Sequence, residues 1–180
     1  MSARTNRLDV WARARFGLVL GLFALVTWLV FRDRVLGDAL MTLRTGTAEV
    51  TAALLNLVGL EASRQATAVF HPAGFGMEIS RGCTGLVGSV LLAVAILAYP
   101  ADRDAKWAGL AICPLAFLLV NFVRLVHLFY LGVYHVNVLH TAHAVVWQGV
   151  MFFLVIALWL TWKWAADGRM AGERMVLEAG

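Results

Sequence analysis

Charge is scarce in this chain. Only 14% of its 180 residues are Asp, Glu, Lys or Arg, and 61% are apolar. A soluble domain of ordinary composition carries about 25% charged residues. The deficit is concentrated in long runs. Phe16 to Phe31, Gly82 to Tyr99 and Ala144 to Trp162 hold no charged side chain, and Trp107 to Tyr130 holds only Arg124. Runs approaching or exceeding ~18 apolar residues predict membrane-spanning helices. A water-soluble fold is excluded on this ground.

Other absences narrow the reading further. No small-x-small cleavage site closes the first run, although Arg4, Arg7, Arg13 and Arg15 precede it as in a secretory signal. An uncleaved anchor is expected. The net charge of +4 is spread over helix ends and does not suggest nucleic acid. Cysteines number two, Cys83 and Cys113. Cys83 opens the second run, and Cys113 lies about six residues into the third. If those helices start on opposite faces, the sulfurs differ in depth by well over ~10 Å. That is beyond disulfide reach, so two free thiols are expected. There are no repeats and no low-complexity segments.

What is present organises as one integral-membrane domain over residues 1–180. The expected fold class is an all-α membrane protein, a bundle of about four transmembrane helices. Their expected limits are Arg15 to Phe31, Cys83 to Tyr99, Trp107 to Tyr130 and Thr141 to Trp164. His135 to Thr141 reads as a short connection, and Lys163, Arg169 and Arg174 mark a polar tail. Leu40 to Leu60 is helix-like, with Met41, Ala48, Ala52, Leu55 and Val58 available for an apolar face and Arg44, Thr45 and Glu49 interrupting it. It reads as an extracytoplasmic interfacial helix, the alternative being a span that tolerates its charges. From Ala62 to Ser80, β-prone runs flank His71-Pro72-Ala73-Gly74, which suggests a turn or small hairpin before the next helix.

Lys and Arg placement sets the expected orientation. The N-terminal tail, the Pro100–Lys106 turn and the C-terminal tail are basic, whereas Leu131 to Ala142 has no Lys or Arg. Both termini are therefore expected inside. Cys83 then starts its helix on the outer side. Arg124 returns to that side after a rise of about 26 Å from Trp107. His143 begins the last helix there. Topology alone predicts that these three residues share one layer.

Their chemistry fits together. A cysteine at a helix start feels unsatisfied N–H groups, which favour the thiolate. The plainer reading of Cys83 is a small buried hydrophobe, with Gly82, Gly85 and Gly88 serving close helix packing. Arg124 shares a polar stripe with Asn121 and His127 at i, i+3 and i+6; a guanidinium there clamps an oxyanion or carboxylate, or else snorkels to lipid phosphates. His143 suits general acid and base work on a thiol. His140 shares its face, and the pair also reads as a metal site or as interfacial histidines. No acidic residue lies between Ala105 and Ala166 to complete a ligand set, so neither a metal nor another cofactor is expected.

At Cys83-Thr84-Gly85, Asn121-Phe122-Val123-Arg124 and His143, the sequence resembles the exosortase/archaeosortase family, and its shortness resembles compact subtypes such as exosortase H. The likeness covers about Glu78 to Phe153. It implies a thiol protease and transpeptidase with catalytic Cys83, Arg124 and His143, supported by Thr84, Gly85, Asn121, His140 and Trp147. It implies multi-pass residence in a bacterial inner membrane, with the site on the extracytoplasmic side. The implied partners are exported proteins ending in a short motif, a transmembrane helix and a basic tail, together with membrane lipids and a saccharide or lipid acceptor. The rival readings are a non-enzymatic membrane scaffold and a metal transporter built on His127, His135, His140 and His143.

Overall fold

The computed structural model describes residues 33–179 together with residues 17–18, 21–25 and 28, with side chains as far as Arg169. The chain is mostly helical, at 79%. The expected first helix falls largely outside the described residues, though residues 17–18, 21–25 and 28 are helical.

Helix α1 runs from Asp33 to Leu57 and is longer at its start than the expected Leu40 to Leu60. Leu40, Thr47, Ala48, Thr51, Ala52 and Leu55 form its buried face. The hydroxyls of Thr47 and Thr51 donate to the carbonyls of Leu43 and Thr47, so each lies in packed surroundings without a lost partner. Gly59, at φ +81, ends the helix. The Leu60 N–H reaches the Leu55 carbonyl at 2.9 Å and that of Gly59 the Asn56 carbonyl at 3.1 Å, the paired bonds of a Schellman stop.

A three-stranded antiparallel sheet follows, where a hairpin was expected. Strand β1 is Ser63–Gln65, β2 is Ala68–Phe70 and β3 is Gly76–Glu78, in the order β1-β2-β3. The Pro-Gly turn at His71–Gly74 joins β2 to β3 as its composition suggests. The additional strand pairs Arg64 with Val69, across a tight turn that holds Ala66 at φ +51.

A 3-10 turn at Arg81–Cys83 leads into α2, Leu86–Ala98. Helix α3 runs from Arg103 to Tyr134, four residues beyond the expected limit at each end. Residues 135–141 are more than a connection: Val136–Thr141 is a short helix, α4. It continues through a π turn, Ala142–Val146, into α5, Trp147–Ala179.

Among the described residues two helical stretches, Arg103–Tyr134 and Val136–Arg169, are long and apolar enough to cross a membrane. The face of α3 turned outward carries Trp107, Ile112, Leu115, Leu119 and Val123, all exposed. An apolar exterior of this kind suits lipid rather than water. Helix α2 is apolar but has 13 residues, roughly 20 Å at 1.5 Å per residue. Helix α1 has 25 residues but is too polar to pass the same measure.

Packing divides α3 into two halves. Its inward stripe is Ala105, Gly109, Cys113, Phe117, Asn121, Arg124, Leu125, Leu128 and Phe129. The first part packs with Leu92 and Ile96 of α2 and Met151, Trp162 and Ala166 of α5. There Trp162 lies against Gly109 and donates to the Ala105 carbonyl at 2.8 Å. The last part, Leu125 and Phe129, packs with Ala48, Ala52 and Leu55 of α1, Val69 of β2, Ile79 just after β3, and Cys83. Asn121 and Arg124 sit between the two cores.

Candidate active site

The turn that presents Cys83 is built from short-range bonds. The Cys83 N–H donates to the Ser80 carbonyl at 3.0 Å and the Thr84 hydroxyl to the Arg81 carbonyl at 2.8 Å. Gly85 adopts φ +74, a left-handed conformation that turns the chain out of the 3-10 segment and into α2. A Cβ at Gly85 would lie 2.9 Å from Leu118 Cδ2 and 3.4 Å from Asn121 Cγ. Glycine is therefore required on two counts. Gly88 likewise lies against Phe117, whereas Gly82 is exposed, so two of the three spaced glycines serve helix packing.

Cys83 does not start the helix as expected; α2 begins at Leu86. The first free N–H groups of α2 are displaced along the chain from the sulfur. Standing beside the sulfur is Ser80, whose Oγ lies 3.3 Å from Cys83 Sγ. Cys83 and Cys113 are both free and both buried.

Helix α3 faces this turn with Asn121 and Arg124. Asn121 Nδ2 donates to the Cys83 carbonyl oxygen at 2.8 Å, and Asn121 Oδ1 accepts from Arg124 Nη1 at 3.5 Å. Arg124 is 6% exposed. Among the described residues its Nε has no hydrogen-bond partner and no carboxylate pairs with it. His127 does not continue the buried stripe. Six residues advance a helix by about 600°, which leaves His127 about 120° off the Asn121 face. It is exposed, and its Nδ1 accepts from Trp147 Nε1 at 2.9 Å. That bond fastens the start of α5 to α3.

His143 lies in the π turn, one residue after its start, and His140 one turn earlier in α4; both are exposed. Extra turns of this kind recur at functional sites because they re-aim one side chain within a helix. His143 is within electrostatic reach of Arg124 and His140. No hydrogen bond joins His143 to Cys83. Catalytic contacts of this sort often tighten only with substrate in place. Among the described residues no three His, Cys, Asp or Glu side chains gather as a metal site would require.

A cavity of about 780 Å³ opens beside these groups. Gly82, Gly85, Asn121, Arg124 and Gln148 line its polar end, and Val87, Leu91, Phe117, Phe152 and Val155 its apolar length. Ala144 and Val145, the neighbours of His143, lie on the wall. Neither Cys83 nor His143 lines the cavity itself. The fold thus brings Cys83, Asn121 and Arg124 into one bonded chain, and the residues that follow His143 lie on the wall of the adjoining cavity.

Two residues of this site were not anticipated. Ser80 had a legible signal, a hydroxyl three positions ahead of the cysteine in a turn-prone stretch. Arg44, which read as an interruption of its helix, had none. Its Nε donates to the Ile79 carbonyl at 2.7 Å, and its Nη2 pairs with Glu78 Oε1 at 2.7 Å. It ties α1 to the backbone immediately before Ser80.

The family model of the transmembrane exosortases matches residues 8–162, from the basic tail into the first half of α5. The chain belongs to the transmembrane exosortase family. The match takes in the Cys-Thr-Gly turn, the Asn-x-x-Arg segment and the histidine of the π turn together. Neither a curated protein nor a solved structure matches the chain.

Proposed function

We propose that this exosortase is a cysteine peptidase and transpeptidase that cleaves the C-terminal sorting tails of exported proteins and transfers them to an extracellular acceptor. Family membership supports a membrane sorting-related transpeptidase in general. The observation that favours the finer reading is Arg124. A buried guanidinium with an unpartnered Nε is costly inside a membrane protein. It stands beside a cavity and is linked through Asn121 to the Cys83 backbone. A group that develops negative charge there during reaction would repay that cost.

In this mechanism the Cys83 thiol gives its proton to His143, the sulfur attacks the scissile carbonyl carbon, and the carbonyl π electrons move to oxygen. Arg124 stabilises that oxyanion. The tetrahedral species collapses to a thioester as the C–N bond breaks, and His143 gives its proton to the leaving amine. An amine, a hydroxyl or water then attacks the thioester, His143 takes the proton back, and Cys83 is released. The apolar length of the cavity suits a substrate held in the bilayer. In the orientation set by the basic segments, the site lies on the extracytoplasmic side of a bacterial inner membrane and the first hydrophobic run and α2 complete a bundle of four spans.

Co-expression with a protein bearing a motif-helix-basic tail tests the proposal. Mass analysis of that protein's C-terminus should find a truncated or acceptor-linked form. An intact tail in the presence of well-expressed enzyme, across a panel of such tails from the encoding genome, counts against it.

A further inference from the structure

We infer that Ser80 is the hydrogen-bond donor that holds the Cys83 sulfur in its reactive form, with Arg44 as the strut that keeps Ser80 in place. The inference rests on the reading of Cys83 as the nucleophile. Ser80 Oγ is 3.3 Å from Cys83 Sγ. Among the described residues it is the sulfur's hydrogen-bond partner. A thiol can accept from or donate to a hydroxyl, but a thiolate can only accept. The Ser80 O–H must therefore point at the sulfur once the proton leaves. Bonds to an ionised acceptor are stronger than bonds to a neutral one, so the contact tightens as the sulfur takes on charge.

The geometry is fixed from both sides. The backbone of the turn closes through the Cys83 N–H to the Ser80 carbonyl at 3.0 Å, so the two residues are joined by backbone and by side chain. Ahead of Ser80, the Ile79 carbonyl is held by Arg44 Nε at 2.7 Å, and the Ile79 side chain is fully buried. Arg44 also pairs with Glu78 and donates to Thr67 Oγ1 at 3.4 Å, so its guanidinium grips the end of β3 at two points and the β1–β2 turn at a third. Behind Cys83, Asn121 holds the carbonyl. The sulfur is thus aimed by three unlike contacts, from the turn itself, α1 and α3. The charged and titratable groups around the turn are Arg81 on it, Arg44 of α1, Glu78 of β3, Arg124 of α3 and His143 of the π turn. The hydroxyl of Ser80 is the neutral group set against the sulfur itself.

The test uses the full chain in membranes with both cysteines retained. Iodoacetamide is applied at one fixed neutral pH, and alkylation of the Cys83 and Cys113 peptides is followed separately by mass spectrometry. Ser80→Ala is expected to slow Cys83 alkylation about three- to tenfold, the scale of one charge-assisted hydrogen bond partly replaced by water. Ser80→Thr, which keeps the hydroxyl, should restore most of the rate. Arg44→Gln should slow it less than Ser80→Ala. Cys113 should react at the same rate in all variants, because it lies in the other core. Cys83 alkylation that is unchanged or faster in Ser80→Ala, with Cys113 unchanged, overturns the inference, as does failure of Ser80→Thr to recover. Tail cleavage is measured in parallel. A chain that never cleaves a tail but shows the Ser80-dependent rate sinks the proposed function and keeps this inference. A chain that cleaves tails with no Ser80 dependence does the reverse.

Discussion

The side-chain amide of Asn121 donates to the carbonyl oxygen of Cys83 at 2.8 Å, joining residues 38 positions apart. The same side chain offers its oxygen to Arg124. One residue therefore sets the distance between the proposed nucleophile and the proposed oxyanion donor. It is 1% exposed, so neither bond is shared with solvent.

Asn121→Asp keeps the shape but loses the donor. The Cys83 carbonyl is then left facing an acceptor, and Arg124 gains a carboxylate that competes with the developing oxyanion. Tail cleavage should fall by at least tenfold. Asn121→Ala should cost about 1–3 kcal/mol of stability through the unpaired buried carbonyl. Thermal unfolding in detergent, read beside the cleavage assay, checks both. Cleavage at the unsubstituted rate in Asn121→Asp would remove Asn121 from the site.

The three candidate catalytic residues should behave as a unit. Cys83→Ala should abolish cleavage with the protein still in the membrane. Cys83→Ser should nearly do so, since an alcohol is the poorer nucleophile at neutral pH. Arg124→Lys should be severe, because a point charge does not reproduce a planar fork. His143→Ala should be severe and His140→Ala mild. The amount of uncleaved tail-bearing substrate, normalised to expression of each variant, is the measurement. Full cleavage by Cys83→Ala ends the cysteine mechanism, and a larger defect at His140 moves the acid one turn toward α4.

Gly85 and Gly149 form a matched pair. At Gly85 an alanine meets positive φ, Leu118 at 2.9 Å and Asn121; at Gly149 it meets nothing within 4 Å among the described residues. Gly85→Ala should destabilise by about 1–3 kcal/mol and disturb the turn that carries Cys83. Gly149→Ala should be neutral or slightly stabilising, as alanine is the better helix former. Detergent melting curves of the two variants decide; equal curves would contradict the geometry of the turn.

Topology is open to direct measurement. Reporter fusions at Asp104 and Gly180 should read cytoplasmic and a fusion at Asn137 external. Asp104 lies in the first turn of α3 and Asn137 just beyond its end, and α3 is, among the described residues, one of two stretches able to cross a membrane. A cytoplasmic signal at Asn137 would dissolve the shared outer layer of Cys83, Arg124 and His143.

The sequence by itself determined the hydrophobic runs and hence the helices, because the absence of charge over such lengths leaves few other structures. It also determined the order of Cys83, Arg124 and His143 along the chain, and the constant rise of a helix per residue is the ground for expecting them at one depth. Family membership was legible in the same residues. Tertiary structure decided the rest. The helical phase put His127 outside the buried stripe, where Trp147 could engage it. Packing of Gly85 against Leu118 and Asn121 accompanies a start of α2 at Leu86, past Cys83. The π turn around His143 is a local change of hydrogen-bond register in a run whose apolar composition reads as continuous α-helix. Arg44 read as a flaw in its helix because its partner, the Ile79 carbonyl, lies 35 positions away. Local sequence fixes rise, phase and burial tendency, whereas a bond between a side chain and a distant backbone exists only once the chain has folded to bring them together.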